Sequence, residues 1–215
     1  MLSRILGNDT RFGRLMTKCG TLIVLNLLFA LSSVPFVTIG AGLSALYHGV
    51  FSMLTDPDPI HPLRVFWEGF RRNFGKATLV WVGFVLLIAL GLMDLGIAAQ
   101  AGGIIQMLSA GVIGVLLIAV STVSYLLPLL PVSQAPLGTQ IKLAIYTAVR
   151  NPLKLILVLA INVVPLVLSW MDEVNRPAYG FIFTFFWFAL GAWFIGKLLL
   201  PFYRPLLEEG EDKIE

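Results

Sequence analysis

Charged residues, cysteine and histidine are scarce in this 215-residue chain, and each scarcity excludes a class of function. Only 13% of the residues are charged and 58% are hydrophobic, which excludes an ordinary soluble domain. The single cysteine, Cys19, permits neither an intrachain disulfide nor a cysteine metal cluster. The two histidines, His48 and His61, are separated by a proline-rich turn, whereas metal sites need clustered ligands. No Gly-x-Ser-x-Gly or P-loop motif is present, so we expect no enzyme, no metal and no cofactor.

Long hydrophobic runs dominate what is present, and the mean hydropathy is +0.89. Several runs reach the roughly 18 residues that make a candidate membrane span. The sequence therefore predicts an all-α polytopic membrane helical bundle. Residues 1–206 are predicted to form a single integral membrane domain, followed by an acidic tail, 207–215. The excess of basic residues indicates contact with the anionic headgroups of a lipid bilayer, and we expect no nucleic acid partner.

The N-terminal region, which is basic and then apolar, also resembles a signal peptide, with a weak cleavage site at Ala30-Leu31-Ser32. Because apolar sequence resumes at once at Val34, we expect this region to be retained as the first membrane segment.

About six membrane segments are predicted, and the first two form a short hairpin broken at Pro35 and Gly40. Both halves are short for a full span, so two spans and a re-entrant hairpin both remain open. Two amphipathic helices, predicted at residues 63–74 and 139–149, are expected to lie in the headgroup plane, the first of them ending at Lys76. The membrane segments are predicted at residues 20–34, 41–54, 77–98, 104–127, 153–170 and 179–200.

A short sequence repeat links the two amphipathic helices. Arg72-Asn73-Phe74-Gly75-Lys76 matches Arg150-Asn151-Pro152-Leu153-Lys154, and each copy follows an amphipathic helix and opens a membrane segment. We call these two places the elbows. Two segments lie between them, which predicts a parallel repeat with units at roughly 41–99 and 104–171, unlike an inverted repeat. Candidate docking residues at the elbows are Arg71, Arg72, Asn73, Lys76, Arg150, Asn151 and Lys154.

The distribution of basic residues predicts the orientation. With six membrane segments, every lysine and arginine except Arg176 falls on the side of the termini. Cytoplasmic loops of membrane proteins carry such an excess of basic residues. Both termini are therefore predicted to be cytoplasmic, in a multi-pass protein of the cell membrane.

Residues in the first third of the chain resemble a known family. The residues Leu25-Asn26, Ser33, Pro35, Thr38, Gly40-Ala41 and Ala45-Leu46-Tyr47, followed by Phe66-Trp67 and Phe70-Arg71-Arg72-Asn73-Phe74-x-Lys76, are similar to the YesL-like membrane proteins, domain-of-unknown-function family 624. The resemblance implies a small bacterial multi-pass protein whose gene often lies beside sugar-uptake systems. It implies no established activity and no cofactor.

Four polar residues within the predicted membrane segments are candidate functional residues: Asn26, His48, Asp94 and Asn162. Ionisable residues at membrane depth are functional candidates by default. Each also has a structural interpretation, as an interhelical hydrogen bond for Asn26, His48 and Asn162 and as an interfacial charge that reaches water for Asp94. A polar patch at Ser121, Thr122, Ser124 and Tyr125 has the same ambiguity, because such hydroxyls often bond to their own helix.

Three classes of function remain from the sequence. The first is a non-enzymatic accessory or assembly partner of a carbohydrate uptake system, in contact with a sugar transporter permease subunit. The second is a small permease or channel for a neutral solute such as a sugar, and the third, a membrane enzyme, is disfavoured. A polar midplane cavity lined by Asn26, Asn162 and the Ser121–Tyr125 patch favours the permease, and a dry interior favours the accessory protein.

The orientation is testable by labelling. Tags on both termini should be cytoplasmic, and a cysteine introduced near Gly102 or at Asn175 should react with an impermeant reagent from outside. Outside labelling of a cysteine at Pro62 contradicts the six-segment topology.

Overall fold

The computed structural model describes residues 11–56, 58–101 and 103–211, and these form helices with no strand among them. The predicted all-α bundle is therefore confirmed. In chain order the α-helices are α1 (Arg11–Ser32), α2 (Ile39–Thr55), α3 (Pro62–Ala101), α4 (Gly103–Leu129), α5 (Leu137–Arg150), α6 (Pro152–Met171), α7 (Arg176–Ile182) and α8 (Phe188–Glu211). A 3-10 turn (Phe36–Thr38) precedes α2, and a π-helical segment (Phe183–Trp187) joins α7 to α8. Residues 207–211 of the predicted tail continue α8, and 212–215 lie outside the described residues.

The hairpin between α1 and α2 turns at Pro35, as predicted. Thr38 Oγ1 donates hydrogen bonds to the carbonyls of Ser32 (2.5 Å) and Pro35 (2.7 Å), which closes the turn. Trp81 Nε1 of α3 donates to the Phe36 carbonyl at 3.0 Å and fixes the turn against the neighbouring helix. The bond to Ser32 satisfies a carbonyl that the end of α1 leaves without an intrahelical partner, and the other two satisfy carbonyls of the turn itself.

Gly40 has a different role from the predicted one. It lies inside α2 and not at the turn, and a Cβ placed on it meets the Trp81 Cβ and, at 2.5 Å, the Ala77 carbonyl oxygen. The glycine thus lets the backbones of α2 and α3 approach closely, as small residues do between membrane helices.

The predicted break at the first elbow is wrong. Residues 62–101 form one helix of 40 residues, which contains both the predicted amphipathic helix 63–74 and the predicted span 77–98. Helix α3 therefore runs straight through Lys76, where the prediction ended one helix and began another. The weakest helix former at this point is Gly75, which costs about 1 kcal/mol relative to alanine and does not stop a helix.

The second elbow is a true break. Helix α5 ends at Arg150, Asn151 adopts φ −130° and ψ 69°, and α6 begins at Pro152. Proline lacks the N–H of the helical hydrogen bond and disfavours helical backbone in the residue before it. The two copies of the repeat differ here, because Phe74 stands where the second copy has Pro152.

Helix α2 lies at the centre of the bundle and packs against α1, α3, α4 and α8. Its small residues are buried and leave room for larger partners, so that Gly49 contacts Leu25 of α1 and Gly196 of α8 contacts Val50. By length and composition six stretches are candidate membrane spans: Leu15–Ser32, Phe36–Thr55, Pro62–Gln100, Ser109–Leu129, Pro152–Met171 and Arg176–Leu206. In the most apolar part of the α2 stretch 61% of the residues are buried, compared with 11% in the α3 stretch and 11% in the α6 stretch.

At the end opposite the elbows, Asn175 closes the turn between α6 and α7. Its backbone N–H and Nδ2 donate to the Asp172 carboxylate at 3.2 and 2.8 Å. These hydrogen bonds from Asn175 hold the pKa of the Asp172 carboxyl below its usual range, because they favour the charged form.

The contact at Gly40 is testable by substitution. Gly40→Ala should lower the free energy of unfolding by about 1–3 kcal/mol, because the new Cβ overlaps backbone and not a flexible side-chain end. The matched control is Gly83→Ala on α3, where nothing lies within 4 Å of the added Cβ. Thermal unfolding in detergent should give a lower Tm for Gly40→Ala alone; equal Tm values for the two variants contradict the close approach.

Candidate functional site

Asn26 is fully buried, and the hydrogen bonds of its side chain go to the last membrane stretch. Its Nδ2 donates to the carbonyls of Phe183 (2.8 Å) and Thr184 (2.7 Å), and its Oδ1 accepts from Ala189 N–H at 2.7 Å. A π-helical segment interrupts the regular α-helical hydrogen-bond pattern, and Asn26 bonds to two carbonyls of this segment and to the Ala189 N–H that follows it. Its amide therefore belongs to the structure of this segment and does not line the cavity described below.

His48 and Asp94 lie far apart. The His48 ring is partly buried at the α2–α3 interface, where a Cβ on Gly69 would meet its own Cβ at 2.7 Å. No hydrogen bond joins the ring to another described residue, so its predicted interhelical hydrogen bond is not seen and the contact is one of packing. Asp94 is exposed on the second half of α3. Within the described residues no three His, Cys, Asp or Glu side chains form a group able to hold a metal.

Asn162 lines a cavity of about 570 Å³ in the middle of the bundle, which we call the mid-membrane cavity. Ser124 also lines this cavity. Neither the Ser124 hydroxyl nor the Asn162 amide has a hydrogen-bond partner among the described residues. The rest of the lining is mainly apolar and comes from α1, α2, α3, α4, α6, the π segment and α8. Principal lining residues are Phe29, Leu43, Trp81, Phe84, Val120, Val123, Leu166 and Phe188.

The predicted polar patch on α4 is divided by the structure. The hydroxyls of Ser121 and Thr122 donate to carbonyls four residues earlier, each at 2.7 Å, so both serve their own helix. Only Ser124 reaches the cavity, and the carbonyl of the buried Tyr125 accepts a 3.0 Å hydrogen bond from the Tyr203 hydroxyl. The cavity thus has some of the polar lining that favours a permease, without Asn26 and most of the patch.

Three basic elbow residues bond to backbone carbonyls of other elements. Arg72 donates to the Pro131 carbonyl, and Lys76 donates to the Ala135 carbonyl at 3.2 Å, so both tie α3 to the loop between α4 and α5. Lys154 donates to the Leu198 carbonyl at 3.4 Å and lies 4.2 Å from the centre of the Phe202 ring. These cations join the elements at what we call the basic end of the bundle, the end that carries the elbows.

The two elbow asparagines occupy matching positions. Asn73 Nδ2 donates to the Gly69 carbonyl and Asn151 Nδ2 to the Thr147 carbonyl, each four residues earlier, at 3.5 and 3.3 Å. Asn73 thus bonds within the continuous α3, whereas Asn151 bonds back to the end of α5. Arg150 bonds to the Tyr146 hydroxyl at 2.6 Å within α5, and this differs from the bond of Arg72 to another element.

An exposed surface on the first turns of α3 lies beside the bonded cations. Arg64, Trp67, Glu68 and Arg71 line an open groove of about 550 Å³ together with Arg72. The Trp67 side chain is 52% exposed, and the Arg71 guanidinium lies 5.1 Å from the centre of its ring. We call Arg64, Trp67, Glu68 and Arg71 the Trp67 face. This face could have been predicted from the sequence, because its four positions recur at the three- and four-residue spacing of one helix face.

A helical bundle with six apolar candidate spans, a buried amide on a π segment and a basic end is a multi-pass membrane protein. Residues 22–95 of this protein match the family described as "Protein of unknown function, DUF624", and this confirms the resemblance seen in the sequence. The match covers α2, half of α1 and most of α3, about a third of the chain. No curated protein and no solved structure matches the chain.

The bond network of Asn26 is testable against Asn162. Asn26→Leu should lower the free energy of unfolding by about 1–3 kcal/mol, because it leaves the Ala189 N–H and two carbonyls without partners. Asn162→Leu is the control, since its amide has no such bonds, and it should leave the Tm nearly unchanged. Thermal unfolding of both purified variants measures the difference; equal losses contradict the special role of Asn26.

Proposed function

We propose that the protein is a non-enzymatic accessory subunit that docks against another membrane protein through the Trp67 face. The most direct support is the contrast between polar side chains that are bonded inside the bundle and polar side chains that are exposed on its surface. Asn26 is bonded inside the bundle, and Arg72, Lys76 and Lys154 are bonded to backbone carbonyls. The Trp67 face instead presents an exposed indole beside exposed charges.

The chemistry of this face fits a protein partner. Tryptophan and arginine are the residues most enriched among those that dominate the energy of protein interfaces. Arg64 and Arg71 would pair with carboxylates of the partner, and Glu68 with a basic residue. The competing role is a lipid anchor, because tryptophan and basic residues also gather at membrane interfaces.

The partner class follows from the family resemblance. The resemblance implies a gene that often lies beside sugar-uptake systems, and we propose a sugar transporter permease subunit as the partner. We place the Trp67 face on the cytoplasmic side of the bacterial cell membrane, in accordance with the concentration of basic residues at this end of the bundle.

A small permease for a neutral solute is the second candidate, and the mid-membrane cavity is the observation in its favour. A sugar carries many hydroxyls, each of which needs a hydrogen-bond partner in a dry site. Asn162 and Ser124 offer few such partners among the apolar lining residues. Uptake of labelled sugar by proteoliposomes that contain this protein alone would support the permease and contradict the accessory role.

Charge-conserving substitution separates docking from lipid anchoring. Arg71→Lys keeps the positive charge but loses planar, bidentate pairing with a carboxylate and stacking on Trp67. If the Trp67 face docks a partner, Arg71→Lys combined with Arg64→Lys should reduce the amount of co-purified permease subunit about tenfold, which corresponds to about 1.4 kcal/mol of binding free energy. The measurement is quantitative mass spectrometry of the tagged protein purified at native expression.

The matched control is Arg176→Lys, an exposed arginine at the opposite end of the bundle, which bonds to Glu173 at 3.4 Å. It should leave the amount of co-purified subunit unchanged. Full retention of the subunit by the double lysine variant, with Trp67→Ala also without effect, removes the proposed docking face and leaves the anchor.

A further inference from the structure

The α1–α2 hairpin contacts α3 at the midpoint of that helix. The turn is bonded to Trp81, which is preceded by nineteen residues of α3 and followed by twenty. From Trp81 to Ala101 the helix rises about 30 Å, which is the full thickness of a bilayer hydrocarbon core. The turn therefore lies well short of the far end of α3.

The positions of the charged residues along α3 indicate where this helix enters the hydrocarbon core. Arg64, Glu68, Arg71, Arg72 and Lys76 all precede Ala77, and after Ala77 the only charged residue of α3 is the exposed Asp94. Charged side chains are costly inside the bilayer and collect at its boundary. The hydrocarbon part of α3 thus begins near Ala77, and the hairpin turn reaches only about 8 Å beyond Lys76 along the helix.

The same depth follows from α6. Lys154 is the last charge of that helix before Asp172, and Asn162 lies eight residues further on, about 12 Å deeper. Asn162 and the turn residue Ser33 both line the mid-membrane cavity, so the turn and the cavity lie at similar depth. These depths indicate that two of the six candidate spans, α1 and α2, form a hairpin that enters the hydrocarbon core only in part, and that the α3, α4, α6 and α7–α8 stretches are the ones that cross the bilayer. The termini remain on one side, as in the six-segment prediction.

The mid-membrane cavity lies beside the turn of this hairpin. Phe29 of α1 and Ile39 and Leu43 of α2 form one side of it, and residues of α3, α4, α6 and the last stretch form the rest. Its volume of about 570 Å³ is within the range of ligand pockets. A cavity of this size at the depth of the hydrocarbon has lipid, and not water, as its surrounding solvent.

We propose that the mid-membrane cavity binds a bilayer lipid, with one acyl chain held among Leu43, Phe84, Val120 and Phe188. The apolar lining matches a hydrocarbon chain. Asn162 and Ser124 have no partner among the described residues, and they supply hydrogen bonds to the ester carbonyl or a hydroxyl of that lipid. An amide in this environment gains more from such a bond than it would in water. This site is separate from the Trp67 face and does not depend on the docking role.

Cavity filling tests the proposal. Val120→Phe places a larger side chain on the cavity wall, and Val115→Phe on the same helix is the control, because Val115 lies outside this cavity and is 52% exposed. Native mass spectrometry of the full chain, extracted from its membrane and exchanged into mild detergent, should detect about one retained lipid per chain. Val120→Phe should lower this occupancy at least threefold and Val115→Phe should not change it. Equal occupancy in the three proteins overturns the proposal.

Fluorescence provides a second measurement that does not need lipid to survive purification. A variant that retains Trp81 alone, with phenylalanine at the other four tryptophans, is reconstituted in vesicles of phosphatidylcholine brominated midway along its chains. Quenching of the Trp81 fluorescence by the brominated lipid should fall at least twofold when Val120→Phe is introduced into this variant. It should stay unchanged when Val115→Phe is introduced instead.

The polar pair has its own test. Asn162→Leu should weaken lipid retention about threefold while the Tm stays nearly unchanged, since the amide has no protein partner. A soluble sugar that shifts Trp81 fluorescence, with brominated lipid giving no cavity-dependent quenching, would overturn lipid binding and favour the neutral-solute permease.

Discussion

The close approach of α2 and α3 is the contact on which the rest of the bundle depends. Gly40 of α2 lies against the backbone at Ala77, and Gly69 of α3 lies against His48, so each helix supplies a glycine to the other. In lipid the gain from helix association comes largely from van der Waals packing, because the surrounding solvent is itself apolar. With this pair in place, Trp81 can reach the Phe36 carbonyl and hold the turn at the middle of α3.

Polar groups inside the bundle fall into two physical classes. Asn26 uses both amide functions on one π segment of the last stretch, and its bonds replace those that a regular helix would have made for itself. Asn162 instead faces a cavity. Both residues carry the same side-chain amide. Asn26 has a structural role because backbone groups of the last stretch lie within hydrogen-bond distance, whereas the Asn162 amide remains available to a ligand.

Much of the fold was predictable from the sequence, because hydrophobic length and proline are strong signals in lipid. The hairpin turn at Pro35, the all-α class and the break before Pro152 followed from them. The continuous α3 did not, because the amphipathic pattern of 63–74 implied an interfacial helix while no residue there stops a helix. The elbow residues could be located but not their partners: the bond of Arg72 to Pro131 joins positions 59 residues apart, which local pattern cannot reveal.

The difference between the two elbows has a mechanical consequence. Helix α3 is one rod from Pro62 to Ala101, so a displacement of its first turns by a bound partner is carried as a lever motion to Trp81 and the hairpin turn. Helices α5 and α6 meet instead at Asn151-Pro152, where the helix is interrupted and no continuous rod joins them. A displacement at the basic end would therefore reach the hairpin turn through one continuous helix in the first half of the chain, but would meet an interrupted helix in the second half.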